Sequence, residues 1–429
     1  MEKKDLDRHP PSGSGSRVLA VPASSRGGRL GPGLIIAASF IGPGTITTSI
    51  VTGAEYGFVL AWAVVFSILA TIILQEMTGR LGLATRMSLG HALREVFASR
   101  IARLVMVVLV VAAIGVGGAS YAGGDTVGTA LALSGVTGLP QPVIVVGILV
   151  TIGALLWTGS YKLIEKVLAA MVAILALLFI ITTFIVQPPF LEALRGMFVP
   201  TVPAGTALLA IALIGTTVVP YNLFLQASLV QDKWDVGVEP RSAMRAARTD
   251  TAVSISVGGV ITLAVMATAF GGMYMKGMTA ETGEDLARAL EPLLGDAAGW
   301  VFAAGLFAAG FTSAVAGPLG AAYAIAGTLG RSTDLRGTTA RIVWISVLAI
   351  GGVIALTGFE PTQIIVVAQA ANGLLLPVIA LFLMAVMNSR RLMGEHRNGP
   401  VSNILGALVC LVVVGLAVYQ LGGLAGFWE

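Results

Sequence analysis

Charge is what this sequence has least of: 11% of its 429 residues are Asp, Glu, Lys or Arg, against about 25% in water-soluble domains. A chain that is also 56% hydrophobic, with a mean hydropathy of +0.90, cannot cover itself in water, which excludes a soluble globular protein. Its one cysteine, Cys410, cannot close an intrachain disulfide, nothing is spaced like a zinc or iron-sulfur site, and the redox compartment stays open. No His-Glu-x-x-His helix, Gly-x-Ser-x-Gly elbow or phosphate loop ending in Gly-Lys-Ser/Thr is present, so neither a common hydrolase nor an ATP-driven pump is encoded. An intramembrane hydrolase would need paired catalytic groups in the bilayer. Asp125 has no evident second carboxylate, and an enzyme is not expected. The three histidines, His9, His91 and His396, fall in a tail or in loops, leaving none in a span to shuttle protons.

What is abundant is apolar sequence and glycine. The 54 glycines and 7% aromatics suit helices that pack closely through small residues, and Gly53-x-x-x-Gly57 and the glycines at 115, 117 and 118 read as such contacts. Runs of about 20 apolar residues, enough to cross roughly 30 Å of hydrocarbon, predict an all-α polytopic membrane protein. Eleven spans are expected, near 31–52, 55–78, 102–133, 141–158, 163–187, 204–230, 250–273, 298–329, 340–357, 362–387 and 401–424. Residues 1–30 hold six Lys and Arg and a Ser-Gly run but no apolar stretch long enough for a signal peptide, and read as a disordered cytoplasmic tail. Residues 31–429 form the membrane domain.

The positive-inside rule supports the count. Basic residues concentrate in the tail and on alternate loops: Arg80 to Arg103, Lys162 and Lys166, Lys233 to Arg248, Arg331 to Arg341, and Arg390 to Arg397. Only Arg195, Lys276 and Arg288 fall on the opposite side, among Glu192, Glu281, Glu284, Asp285, Glu291 and Asp296. The N-terminus is therefore expected in the cytoplasm and the C-terminus outside, in an inner or plasma membrane of prokaryotic type.

Two spans are interrupted at mid-length, the first by Gly42-Pro43-Gly44-Thr45 and the sixth by Gly215 to Asn222, which includes Pro220. Proline removes a donor and glycine permits helix-ending dihedrals, and broken backbone at membrane depth survives only where it lines a protein cavity. The two breaks lie five spans apart, so the halves have opposite topology. Paired broken helices in an inverted repeat point to a midplane substrate site in a secondary transporter.

Several motifs then come in a telling order: Gly31-Pro32-Gly33, Gly42-Pro43-Gly44, Thr52 to Gly57, Gly196-Met197-Phe198-Val199-Pro200, Pro220-Tyr221-Asn222-Leu223, Ala368-Gln369 with Asn372-Gly373, and Arg391-Leu392-Met393-Gly394. Together they resemble the Nramp (natural resistance-associated macrophage protein) family of metal transporters across nearly all of residues 30–424. The resemblance implies a LeuT-like 5+5 inverted repeat, with repeat one at about 31–187, repeat two at about 204–387 and an eleventh helix at about 401–424. It implies a substrate site at Gly42, Thr45, Thr216, Val219, Tyr221, Asn222 and Gln369. Yet the family reads Asp-Pro-Gly-Asn in the first break, where this chain has Gly42 and Thr45. It reads Ala-x-x-Met-Pro-His in the sixth span, where Thr216, Val219 and Tyr221 stand. The acidic pair of the third span becomes Ala122 and Asp125, and Gln369 alone keeps the family residue.

Loss of the thioether weakens selection of soft and borderline metals. Loss of the carboxylate removes on the order of 8 kcal/mol of gross attraction for a divalent ion about 4 Å away at an effective dielectric near 20. The expected substrate is thus a hard or partly hydrated divalent cation such as magnesium, held by hydroxyls and carbonyls, with Thr45, Thr216 and Gln369 as candidate metal ligands. Thr48, Thr217 and Asn222 could furnish further oxygens. The alternatives are a small anionic or zwitterionic solute docked on half-helix ends, or a sensor that binds without transporting. No resident cofactor and no nucleic-acid partner are expected, only the lipid bilayer and a small substrate.

Ionisable residues inside spans are costly and usually functional. Asp125 is a candidate coupling or relay group, or a carboxylic acid kept neutral by burial. Glu55, at the outer end of the second span, is a second candidate or merely interfacial. Glu76 and Arg80 are one turn apart and suit an ion pair, Asp250 suits pairing or gating, and Glu165 suits a solvated cluster with Lys162 and Lys166. Thr312 and Ser313 suit either the pathway or back-bonding to their own helix.

Overall fold

The computed structural model describes residues 31–158, 162–234, 240–280 and 283–425. The expected tail at 1–30 and the end at Glu429 lie outside the described residues. The described chain is helical throughout: α1 (Pro32–Phe40), α2 (Pro43–Tyr56), α3 (Ala61–Thr85), α4 (Leu89–Val96), α5 (Arg100–Thr137), α6 (Gln141–Thr158), α7 (Lys162–Val186), α8 (Phe190–Phe198), α9 (Ala207–Thr217), α10 (Pro220–Lys233), α11 (Pro240–Gly272), α12 (Gly283–Ala287), α13 (Glu291–Leu294), α14 (Ala298–Thr328), α15 (Thr338–Ala355), α16 (Pro361–Met387), α17 (Arg390–Met393) and α18 (Pro400–Leu424).

Every expected span coincides with one of these helices or a broken pair of them. Among the described residues nine helices, α9 and α10 counting together, are long and apolar enough to cross a bilayer. The bent pair α1 and α2 makes a tenth, and a shorter apolar stretch of α7, Val172–Val186, belongs to the remaining one. One expectation changes: α7 starts at Lys162, so Lys162, Glu165 and Lys166 lie on its first turns rather than in a loop. The short helices α4, α8, α12, α13 and α17 sit between spans.

Local sequence explains the boundaries. Proline occupies the first turn of α1, α2, α10, α16 and α18, where its missing N–H costs no hydrogen bond. Ser88 and Ser99 cap α4 and α5, and Glu360 caps α16 by accepting from the Thr362 and Gln363 amides at 3.1 and 2.8 Å. Gly138, at φ 68°, ends α5 in the left-handed conformation.

The longest helix, α5, has 38 residues and packs against α14, α15 and α16. Close approach depends on small residues: a Cβ on Gly123 of α5 would stand 3.0 Å from the Gly351 carbonyl oxygen of α15. Large apolar side chains point outward as well as inward, among them Ile101, Val150, Phe184, Val353 and Leu411. Such a surface is stable in lipid, not in water.

The basic loops meet at one end of the bundle. Arg80 donates to the carbonyls of His396 and Arg397 and to Asn398 Oδ1, Arg86 to the Trp234 carbonyl, Arg94 to the Thr328 carbonyl, and Arg248 pairs with Glu76. The residues between spans two and three, six and seven, eight and nine, and ten and eleven thus share one face, as alternating loops must.

Candidate functional site

Both breaks follow one grammar: a helix ends, two residues leave the helical conformation, and proline starts the next half. In the first, Ile41 (ψ 73°) and Gly42 (ψ −174°) precede Pro43, and α1 and α2 diverge by 55°. In the second, Val218 (ψ 72°) and Val219 (ψ 119°) precede Pro220. The second interruption redirects the chain less, and α9 and α10 together still pass as one span, Ala207–Gln231.

The breaks touch. Thr45 Oγ1 on α2 lies 2.7 Å from Thr216 Oγ1 on α9. Thr45 also donates to the Phe40 carbonyl at the frayed end of α1, so its single proton is committed there and Thr216 is the donor in the pair. Ser39, one residue earlier, is the busiest group. Its hydroxyl donates to the Ile36 carbonyl and accepts from Asn222 Nδ2 at 2.8 Å. Its carbonyl accepts from Tyr121 at 3.3 Å and from Ser313 at 3.2 Å. Four elements, α1, α5, α10 and α14, therefore converge on one residue before the break.

Gln369 on α16 lies against Gly44, where any Cβ would overlap its amide. Asp125 on α5 is wholly buried. Its Oδ1 would be 3.5 Å from a Cβ at Gly42, and Ser313 and the Gly44 amide face it. Val219 and Tyr221 are buried at the second break, the Tyr221 ring meeting Tyr121 edge-on at 5.7 Å. Both Asp125 oxygens, both polar atoms of the Gln369 amide, Asn222 Oδ1 and the Tyr221 hydroxyl have no hydrogen-bond partner. Buried polar atoms are nearly always partnered, so this concentration makes the breaks the candidate binding place.

Of the residues expected at the site, Gly42, Thr45, Thr216, Val219, Tyr221, Asn222 and Gln369 are all buried about the breaks, and Asp125 joins them. Glu55 does not: it is exposed near the end of α2, about 15 Å along the axis from Thr45. Ser39 and Tyr121 are not singled out by the sequence as parts of the site. Ser39 and Tyr121 are lone polar groups in apolar runs; the one available hint was that Tyr121 precedes Asp125 by one helical turn. Thr312 and Ser313 divide the two roles expected of them, since Thr312 bonds back to the Ala308 and Ala309 carbonyls while Ser313 reaches the break. Among the described residues no three His, Cys, Asp or Glu cluster as a metal site. A cation here would meet one carboxylate and neutral oxygens.

At the end of the bundle with the basic loops, Asp250 of α11 accepts from the Gly33 amide at 2.8 Å and so caps α1. Glu76 pairs with both Arg80 (3.2 Å) and Arg248 (2.7 Å). His91 shares a 2.8 Å hydrogen bond with Ser88, and burial followed by the neighbouring Arg94 charge lowers its pKa below 6.5.

The sequence matches the model of the natural resistance-associated macrophage protein-like family over residues 33–422. The chain belongs to the Nramp family. It is 31% identical over 397 residues to the divalent metal cation transporter MntH of Yersinia pestis, covering 91% of this chain and 94% of that one. It is 30% identical over 398 residues to the protein of the same name in Erwinia tasmaniensis, covering 92% and 94%. Among solved structures it is similar to the Eremococcus coleocola manganese transporter, with a TM-score of 0.72 at 20% identity over 92% of this chain and 86% of that one. Mhp1, a nucleobase-cation-symport-1 family transporter, aligns with a TM-score of 0.56 at 14% identity, covering 92% and 93%. These two likenesses concern the fold, and both agree with a LeuT-like arrangement in this Nramp chain.

Proposed function

We propose that this protein is a secondary transporter that moves a divalent metal cation across the membrane by alternating access, with a hard or partly hydrated ion such as magnesium favoured over manganese and iron. The observation that carries the reading is the pairing of two broken helices around one buried carboxylate and a set of neutral oxygens. Family membership and the MntH relatives support a divalent cation as cargo. The donor set suits a hard ion, because hydroxyl, amide and carboxylate oxygens serve magnesium and calcium as well as manganese, and Val219 offers no sulfur to tip the preference toward manganese or iron.

Rocking of one helix bundle against another around the midplane site would open the breaks to each side in turn. Thr45 and Thr216 would exchange their mutual hydrogen bond for contacts to the ion or its water. The sign of the buried charge argues against an anionic solute: Asp125 faces the first break, whereas Arg80 is committed to Glu76 and to loop carbonyls at the end of the bundle. The alternating basic loops support a cytoplasmic N-terminus and an outside C-terminus.

The test is uptake of magnesium, calcium and manganese into proteoliposomes, with Thr45→Ala and Gln369→Ala beside the unaltered protein. Magnesium flux is expected, with manganese competing weakly and Gln369→Ala losing most of the uptake. If the folded protein moves none of the three, the metal reading fails and the solute reading takes its place.

A further inference from the structure

The Asp125 carboxylate makes none of the hydrogen bonds that hold the fold together, and its surroundings are unusual for such a group. Both oxygens are buried and no donor is seated on either, although the Gly44 amide and Ser313, whose proton goes to the Ser39 carbonyl, face them. Its own helix offers nothing, because Thr126 and Thr129 spend their hydroxyls on the carbonyls of Ala122 and Asp125. What brings it to the first break is the absence of side chains. Gly128, one turn along α5, lies against Pro43 so closely that a Cβ would overlap the ring, and a Cβ on Gly124 would stand 2.9 Å from Ala368. A Cβ on Gly42 would come 2.9 Å from Ser313 Oγ and 3.5 Å from Asp125 Oδ1. A Cβ at 42 would thus press on Ser313 and only touch the Asp125 carboxylate, but the carboxyl of a longer acidic side chain there would compete for the space that Asp125 fills from α5.

We propose that Asp125 is the anionic ligand of the transported cation, taking from the third span the place that an acidic side chain at position 42 would otherwise fill, with Gly42 kept bare to admit it. This rests on the transport reading above and names the residue that supplies the charge. Two carboxylates at this separation would repel each other in a site with no cation to relieve them, so a side chain at 42 and the Asp125 carboxylate are alternatives. The Gly42 backbone, at φ −121° and ψ −174°, is extended and open to any residue. Glycine at 42 is therefore required by space and charge rather than by conformation.

The experiment uses the full chain. Magnesium and manganese binding is followed in detergent by the cation-induced rise in melting temperature, and uptake is followed in proteoliposomes. Asp125→Asn should melt normally without cation yet bind at least about 30-fold more weakly, as expected when a buried charge loses its partner. The triple variant Gly42→Asp, Ser313→Ala, Asp125→Asn returns a carboxylate from the other side and should regain a measurable part of the binding. Asp125→Glu, which keeps the charge but moves the oxygens, should change the magnesium-to-manganese preference, and it decides the matter if Asp125→Asn does not fold. Unchanged binding in Asp125→Asn overturns the assignment, including the case in which only the pH dependence of uptake changes, which would make Asp125 a relay. Unchanged preference in Asp125→Glu overturns it as well. If the unaltered protein binds cation but moves none, transport fails while the binding comparison still judges Asp125; if it binds none, both readings fall.

Discussion

Replacing Asp250 with alanine should release the first half-helix from the end of the bundle that carries the basic loops. Gly31, the N-cap of α1, has no side chain with which to satisfy the free amides of that helix, and Asp250 does so from α11 through the Gly33 amide at 2.8 Å. Such a cap is worth about 0.5–2 kcal/mol. A carboxylate at the positive end of a helix adds about 0.3–1 kcal/mol. Losing roughly 1–3 kcal/mol raises the population with α1 away from α11 by about 5- to 150-fold. The assay is maleimide alkylation of a cysteine at Ala37, which is 2% exposed, in a Cys410→Ala background. Asp250→Ala should accelerate labelling, and Asp250→Asn, which keeps an acceptor but no charge, should fall between. Gly33→Ala should act alike, since its Cβ would stand 2.6 Å from the Asp250 carbonyl oxygen. Labelling at the original rate in both Asp250→Ala and Gly33→Ala would refute the idea that this contact holds the half-helix in place.

Three further outcomes are expected. Thr45→Val and Thr216→Val should each destabilise the protein by about 0.5–1.5 kcal/mol, and the double variant should cost less than their sum, because both remove the same hydrogen bond; a melting-temperature cycle reads this. Glu76→Gln should lower the melting temperature by the equivalent of about 1–3 kcal/mol, since Arg80, 8% exposed, loses its carboxylate but keeps its loop carbonyls; full additivity with Arg248→Ala would contradict a shared network. His91 is harder to protonate folded than unfolded, so its contribution to stability is present above pH 6.5 and is lost as pH falls through its lowered value; His91→Gln should flatten that part of the melting profile.

The spans were legible because period and length are written in long apolar runs, and the basic loops fixed their parity. Both interruptions were legible because proline and glycine are strong punctuation, although the 55° turn after α1 and the gentler one after α9 are not distinguished by residue type. The convergence on Ser39 was not legible, since a serine in an apolar run has no pattern tying it to Tyr121, Asn222 and Ser313 on three other helices. Asp125 stood out as an ionisable residue in a span, but that it faces Gly42 depends on the register of α5 against the break, which small residues set in space rather than in sequence. Glu55 carried the same charge signal and lies exposed near the end of α2. Burial, not residue type, separates the two.

The length of α5 gives it a mechanical meaning. Its 38 residues make a rod about 57 Å long, well beyond the roughly 30 Å of the hydrocarbon layer. Asp125 rides about 37 Å from the Arg100 end. A pivot of about 5° at that end would sweep the carboxylate sideways by about 3 Å, enough to carry it out of reach of Gly42. Grip on a cation from this helix would thus be graded by inclination, and a modest swing of one lever would suffice to let go.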